Sequence, residues 1–123
     1  MSDLAIHPDI KLTFAAKKRF FGPGTVMLLK EIEITGNVRE ACANCGFSYS
    51  KGWTIIRKSE QVLGYKIVER QVGGQSGGSA KVTGNGKALM KAYEELYDEL
   101  NGIAVSRFKE LNEKYRLLEE CDS

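Results

Sequence analysis

From Ile10 the chain alternates: Ile10, Leu12, Phe14 and Ala16 fall on one side of an extended segment, and Lys11, Thr13, Ala15 and Lys17 on the other. A period of two is the mark of a half-buried strand. Gly22-Pro23-Gly24 breaks it, with Pro23 suited to the first turn of a helix. Thr25 to Thr35 then carries Val26, Leu28, Leu29, Ile32 and Ile34, a broad helical apolar face, and Gly36 stops it as a left-handed C-terminal residue would. Asn37 predicts the N-cap of a second helix, with Glu40 at the position that can reach back to the cap. That helix is short, because Gly46 follows within about ten residues. Ser48 is the expected N-cap of a third helix running to about Leu63, with Tyr49, Trp53, Ile56 and Leu63 on its inner face and Gly64 at its end. Residues 67–72 and 80–83 read as antiparallel strands, joined by a loop from Gly73 to Ser79 that holds four of the 13 glycines. Beyond Thr83, a further N-cap candidate, no proline interrupts the chain. One helix from about Gly86 to Leu118 is expected, roughly 50 Å long at 1.5 Å per residue, too long to bury against so small a body.

Helix, short helix, glycine turn, third helix and two-stranded hairpin is the order of a winged helix-turn-helix. In that arrangement the outer face of the third helix can enter the major groove of duplex DNA. Setting Trp53 inward at about 100° per residue turns Ser48, Lys51, Ile55, Lys58 and Val62 outward, with Thr54 on the flank. The expected recognition residues are Ser48, Tyr49, Ser50, Lys51, Thr54, Ile55 and Lys58. Lys51, near the start of the helix, can reach a guanine edge or a phosphate, and Lys58 is better placed for phosphate. The expected wing contacts are Arg70, Gln75, Ser76, Ser79 and Lys81. The glycine-rich loop lacks the Gly-x-x-x-x-Gly-Lys-[Ser/Thr] pattern and joins two strands, which argues against a nucleotide cradle.

Along the terminal helix Leu89, Tyr93, Leu96, Leu100 and Ile103 step by four, three, four and three, a heptad seam. Phe108, Leu111, Tyr115 and Leu118 resume it after a shift of phase, and Gly102 near the shift is a place for a bend or break. The seam predicts dimerisation through Leu89, Tyr93, Leu96, Leu100, Ile103, Phe108 and Leu111.

Charge sharpens this picture. The 123 residues carry a net charge of only +2, but residues 1–83 hold a balance of +5 and residues 84–123 a balance of −3. A basic body suits an anionic partner, while the acidic arm has another task. The single histidine, His7, leaves little room for a hydrolase triad or a multi-histidine metal site, and no acid–base or nucleophile pair suggests an enzyme. Cys42-x-x-Cys45 supplies two of the four ligands of a structural zinc, with only Cys121 and His7 to complete the set. The short helix needs small apolar residues inward, so core packing is the expected role of both thiols, with redox sensing as the alternative. No metal and no cofactor are expected. The longest apolar run is four residues, Val26 to Leu29, and no secretory signal opens the chain. The expectation is a cytoplasmic protein with no membrane contact.

Gly22-Pro23-Gly24, the stretch from Thr35 to Ala41, Gly46-Phe47-Ser48-Tyr49-Ser50-Lys51-Gly52-Trp53, and the segment from Gly73 to Thr83 resemble the N-terminal domain of ModE-type, molybdate-responsive transcriptional regulators. That domain is a cousin of the LysR-type winged helix. The resemblance covers about residues 10–120. It implies a DNA-binding dimer held by long terminal helices and the N-terminal strand region. Family members that sense molybdate carry a C-terminal ligand domain, for which residues 1–123 have no counterpart, and the family's alanine-rich second helix bears Cys42 and Cys45 here. The expected fold is mainly α with a small β component: a winged helix-turn-helix over 1–84, then a long helical dimerisation arm over 85–123, with no ligand-binding domain. The expected function is a sequence-specific transcriptional regulator binding double-stranded DNA as a homodimer on an inverted repeat, with no small-molecule effector evident. The alternatives are a winged-helix protein-interaction module without DNA binding and a molybdate- or oxyanion-related binding protein.

Overall fold

A computed structural model describes residues 6–71 and 79–118 of the chain. In order along the chain they form β1 (Phe14–Ala15), β2 (Arg19–Phe21), α1 (Pro23–Thr35), α2 (Val38–Cys45), α3 (Tyr49–Leu63), β3 (Val68–Arg70), β4 (Ala80–Val82) and α4 (Gly84–Tyr115). One compact unit spans Lys11–Ala92, and a second comprises, among the described residues, 6–10 and 93–118. The architecture is mainly α, with two small antiparallel pairs, β1–β2 and β3–β4. No helix among the described residues is long and apolar enough to cross a membrane.

The single strand expected over residues 10–17 is instead a hairpin. Its first strand is only two residues long, and its second, β2, carries no period of its own to announce it. The reversal is closed by the Ala16 N–H donating to the Lys18 carbonyl at 3.1 Å, a turn made without glycine, proline or asparagine. Across it Phe14 and Phe21 stack with ring centroids 5.6 Å apart. The helices begin where cap chemistry places them. The Gly22 N–H donates to Thr25 Oγ1 at 3.4 Å, the Lys51 N–H to Ser48 Oγ at 3.0 Å and the Gly86 N–H to Thr83 Oγ1 at 3.0 Å. At α2 the Asn37 carboxamide accepts the backbone N–H of Glu40 at 2.9 Å.

The core of the larger unit is built from Phe21, Leu28, Leu29, Ile32, Val38, Cys42, Ile56, Ile67 and Val82, all nearly or fully buried. Between α2 and α3 the chain turns through Gly46, whose φ of 76° lies in the left-handed region that a β-carbon disfavours. The two helices then meet at Gly52. A β-carbon there would fall on the Cys42 sulfur, and it would touch the Cys42 β-carbon and Leu28 at 3.7 Å.

α4 runs unbroken through Gly102 for 32 residues. One glycine costs about 1 kcal/mol in a helix interior, and neighbours such as Leu100, Ala104 and Glu99 favour helix enough to carry the chain through.

The crossing at Gly52 predicts a specific coupling. Gly52→Ala should destabilise the fold by about 1–3 kcal/mol through overpacking, even though alanine gains about 1 kcal/mol of helix propensity. With Cys42→Ala in the same chain, the new methyl meets only ordinary contacts, so the penalty should largely vanish. A four-variant cycle followed by urea unfolding measures this. Equal penalties in both backgrounds would exclude the sulfur as the limiting contact.

Candidate nucleic-acid interface

α3 is rotated so that Gly52, Trp53, Ile56 and Ser59 face inward, and Ser48, Ser50, Lys51, Thr54 and Lys58 lie exposed on the opposite side. Tyr49 and Ile55 are half-buried at the margins. Two of the hydroxyls expected to reach DNA also have local work. Ser48 Oγ accepts the cap bond from Lys51, and the Thr54 hydroxyl donates to the Ser50 carbonyl at 3.0 Å. Lys51 rests its ammonium 6.0 Å from the Phe47 ring centroid, a loose contact that leaves the charge available.

Two consecutive residues of α3 fasten it to different hairpins. Ser59 is fully buried and donates its hydroxyl to the Phe20 carbonyl at 2.6 Å, which ties β2 to the helix. Glu60 Oε2 accepts the backbone N–H groups of Ile67 at 2.8 Å and Val68 at 3.2 Å, which ties β3 to it. Thr83 N–H donates to Ile67 O, and Gln71 N–H to Ser79 O. Alternation along β3 therefore turns Val68 N–H away from β4, and the carboxylate supplies the acceptor that a further strand would have offered.

The wing is anchored at its other strand as well. Ser79 forms an isolated bridge with Asn37, and the Ala80 N–H donates to the Gly36 carbonyl at 3.0 Å. The backbone of Ser79 is thus committed to the joint between α1 and α2. Lys81 is exposed on β4, opposite Glu69 on β3. Gln75 and Ser76, the other expected wing contacts, lie outside the described residues. Arg70 is exposed, and its guanidinium sits 4.4 Å above the Trp53 ring.

Trp53 draws in a second arginine, Arg57, at 5.3 Å, and across the helix-turn-helix Arg39 stacks 4.1 Å from the centroid of Tyr49. Neither Arg57 nor Arg39 follows from a face defined by Lys51, Ile55 and Lys58 alone. Arg57 was legible as the i+4 neighbour of Trp53, whereas Arg39 and Tyr49 come together only through the fold. Among the described residues no carboxylate lies within ion-pair distance of Arg39, Arg57, Lys58 or Arg70. Trp53 Nε1 is the one buried side-chain polar atom among the described residues without a hydrogen-bond partner.

Of the two described thiols, Cys42 packs in the core and Cys45 is half-buried. Cys42 is buried, and burial pushes its thiol above the ordinary value of 9.0, against a smaller opposing pull from Arg39. Cys45 is raised as well, by burial first and then by Glu31 and Cys42. Raised thiols are poor nucleophiles and poor metal ligands at neutral pH. No group of three or more His, Cys, Asp or Glu among the described residues could hold a metal ion.

On the arm, Leu96, Leu100 and Ile103 are 38%, 37% and 59% exposed. Leu89, Phe108 and Leu111 are half-buried, while Tyr93 is only 5% exposed within its own chain.

Known proteins are similar to this chain in sequence or in fold. The DNA-binding transcriptional dual regulator ModE of Escherichia coli (strain K12) is 32% identical over 109 residues, 88% of this chain and 40% of that protein. The transcriptional regulator ModE of Yersinia pestis is 33% identical over 109 residues, with the same coverage of both chains. The crystal structure of the CbnR DNA-binding domain with DNA superposes with a TM-score of 0.53 at 18% identity, over 71% of this chain and 93% of that one, a likeness of fold. The chain belongs to the ModE-type winged-helix domains. No family model matches it. This ModE-type chain spans about 40% of the length of the curated relatives it matches.

The double acceptor at Glu60 carries a stability prediction for this ModE-type domain. Glu60→Ala strands two buried N–H groups and should cost about 2–4 kcal/mol, while Glu60→Gln keeps an uncharged acceptor and should cost less than half as much. Thermal unfolding gives the totals. Amide exchange at Ile67 and Val68 should rise in the alanine variant ahead of exchange in α1, and uniform acceleration would mean that Glu60 does not hold the wing.

Proposed function

We propose that this chain is the DNA-binding part of a transcriptional regulator that acts as a homodimer on an inverted repeat, with a winged-helix body to about residue 84 and a helical dimerisation arm beyond it. The observation that carries the reading is the outer face of α3: Lys51 and Lys58 stand exposed on it, Arg57 and Arg70 flank it around Trp53, and none of the four has a carboxylate partner among the described residues. A helix with a cationic outer face and a basic shoulder has the charge that a phosphate-lined groove requires. The similarity to the Escherichia coli relative, a DNA-binding transcriptional dual regulator, supports it.

The roles of the two lysines separate experimentally. Lys51→Ala should lose about 1–3 kcal/mol on a preferred duplex and relax its sequence preference, because a base contact is lost. Lys58→Ala should weaken preferred and scrambled duplexes alike and make the salt dependence shallower by about one unit. Duplexes recovered by genomic-fragment selection provide the preferred site, and titration at several salt concentrations provides the comparison. Recovery of no enriched fragment by the parent protein would favour a protein-interaction module on the same fold.

Dimerisation links the arm to affinity. One winged helix makes few phosphate contacts, and a second one on the same rigid unit binds as an intramolecular event. Leu96, Leu100 and Ile103 offer an exposed apolar seam for that unit. Leu96→Glu with Leu100→Glu places unpaired charge in the seam, so the expected product is a folded monomer that keeps weak non-specific binding and loses tight binding to an inverted repeat. Light scattering with a gel-shift titration decides it, and a double variant that remains dimeric would place the interface elsewhere.

A further inference from the structure

Three consecutive cations, Lys17, Lys18 and Arg19, occupy the reversal between β1 and β2 and the start of β2, and all three are exposed. Among the described residues none has an ion-pair partner. Three like charges in a row repel one another, so an isolated hairpin gains nothing from them. The hairpin is not isolated. Ser59 holds Phe20, the residue after Arg19, to the recognition helix at 2.6 Å. A surface hollow of about 180 Å³ brings Arg19 and Thr13 from the hairpin together with Ile55 and Lys58 from α3.

The helical wheel explains the juxtaposition. Arg57, Lys58 and Ser59 are successive residues about 100° apart. Arg57 therefore turns to the flank where Trp53 and Arg70 of the wing lie, Ser59 turns to the flank where β2 lies, and Lys58 stands between them. The recognition helix has a cationic shoulder on each side: the wing root on one, the β1–β2 hairpin on the other. We infer that the β1–β2 hairpin is a further DNA-backbone contact, in which Arg19 holds a phosphate next to the one that Lys58 holds across the hollow and Lys18 of the turn holds another. Stacking of Phe14 on Phe21 and the Ser59 bond fix the hairpin beforehand, so little order has to be gained on binding. The inference rests on the DNA-binding reading above and adds a contact beyond the recognition helix and wing.

The test uses the full chain and a random-sequence duplex, on which only the phosphate contribution operates. Lys18→Gln with Arg19→Gln removes two contacts and should make the slope of log affinity against log salt shallower by about 1.8 units. Between about 50 and 200 mM salt the parent should then lose about twelvefold more affinity than the variant. Lys87→Gln with Lys91→Gln removes the same charge from exposed positions on α4 and should leave the slope unchanged. Thermal unfolding of both variants at the parent's midpoint verifies that the fold is intact. A parental slope in the hairpin variant overturns the inference while leaving DNA binding in place, as does an equal shift in the α4 variant, which would mean that net charge alone is being read. A parent chain that binds no duplex at any salt overturns the DNA-binding reading itself, and the hairpin contact falls with it.

Discussion

Where α3 crosses α2, the sulfur of Cys42 lies in the space a side chain at position 52 would need. That close approach sets the rotation of α3 about its own axis. With Gly52 against α2, the 100° step of the helix puts Trp53, Ile56 and Ser59 inward and leaves Lys51 and Lys58 outward. A larger residue at 52 would push the helices apart or roll α3, and either movement would re-aim every cation it carries. The thiol suits the place because cysteine packs as a small, polarisable hydrophobe, and burial keeps it protonated and inert. Cys42 of the Cys-x-x-Cys pair is therefore best understood as part of a helix crossing.

α3 is also the hub to which both hairpins are pinned, and the pins are polar. Ser59 serves the backbone of β2, and Glu60 serves the backbone of β3. Short strands bury little apolar area, and a two-stranded pair alone is marginal in water. A buried hydrogen bond with good geometry adds modest net energy but fixes position sharply, because leaving it unmade is costly. The cationic groups can accordingly sit on thin structural elements and still hold a defined arrangement around the helix.

Much of this order was legible in the chain. The three helices of the body, their glycine stops, and the Asn37, Ser48 and Thr83 caps follow from local rules that tertiary packing did not override. The outer face of α3 followed from placing one tryptophan. What escaped was contact between residues far apart in sequence. β2 has three residues and a turn without turn residues, so neither period nor punctuation marked it. Arg39 meets Tyr49 only because the helix-turn-helix folds them together, and Arg19 joins Lys58 only because Ser59 holds the intervening strand. Glu60 carries no sequence mark, because nothing local distinguishes a carboxylate that will cap two strand amides. Reading Gly102 as a breaker gave weight to a single residue where 32 residues of helix share the cost.

The wing is secured at both roots. Glu60 takes the amides at the start of β3, and Gly36 takes the amide of Ala80 at the start of β4. Whatever length of chain joins these strands, its ends leave from fixed points on the helical body. Loop-closure cost grows only slowly with length, so residues can be added or exchanged between the roots at small thermodynamic expense. The body behaves as a socket and the joining segment as an interchangeable fitting. Sequence drift there can alter the surface presented between the roots without disturbing the helices beneath, and proteins sharing this frame can diverge at that segment while keeping one core.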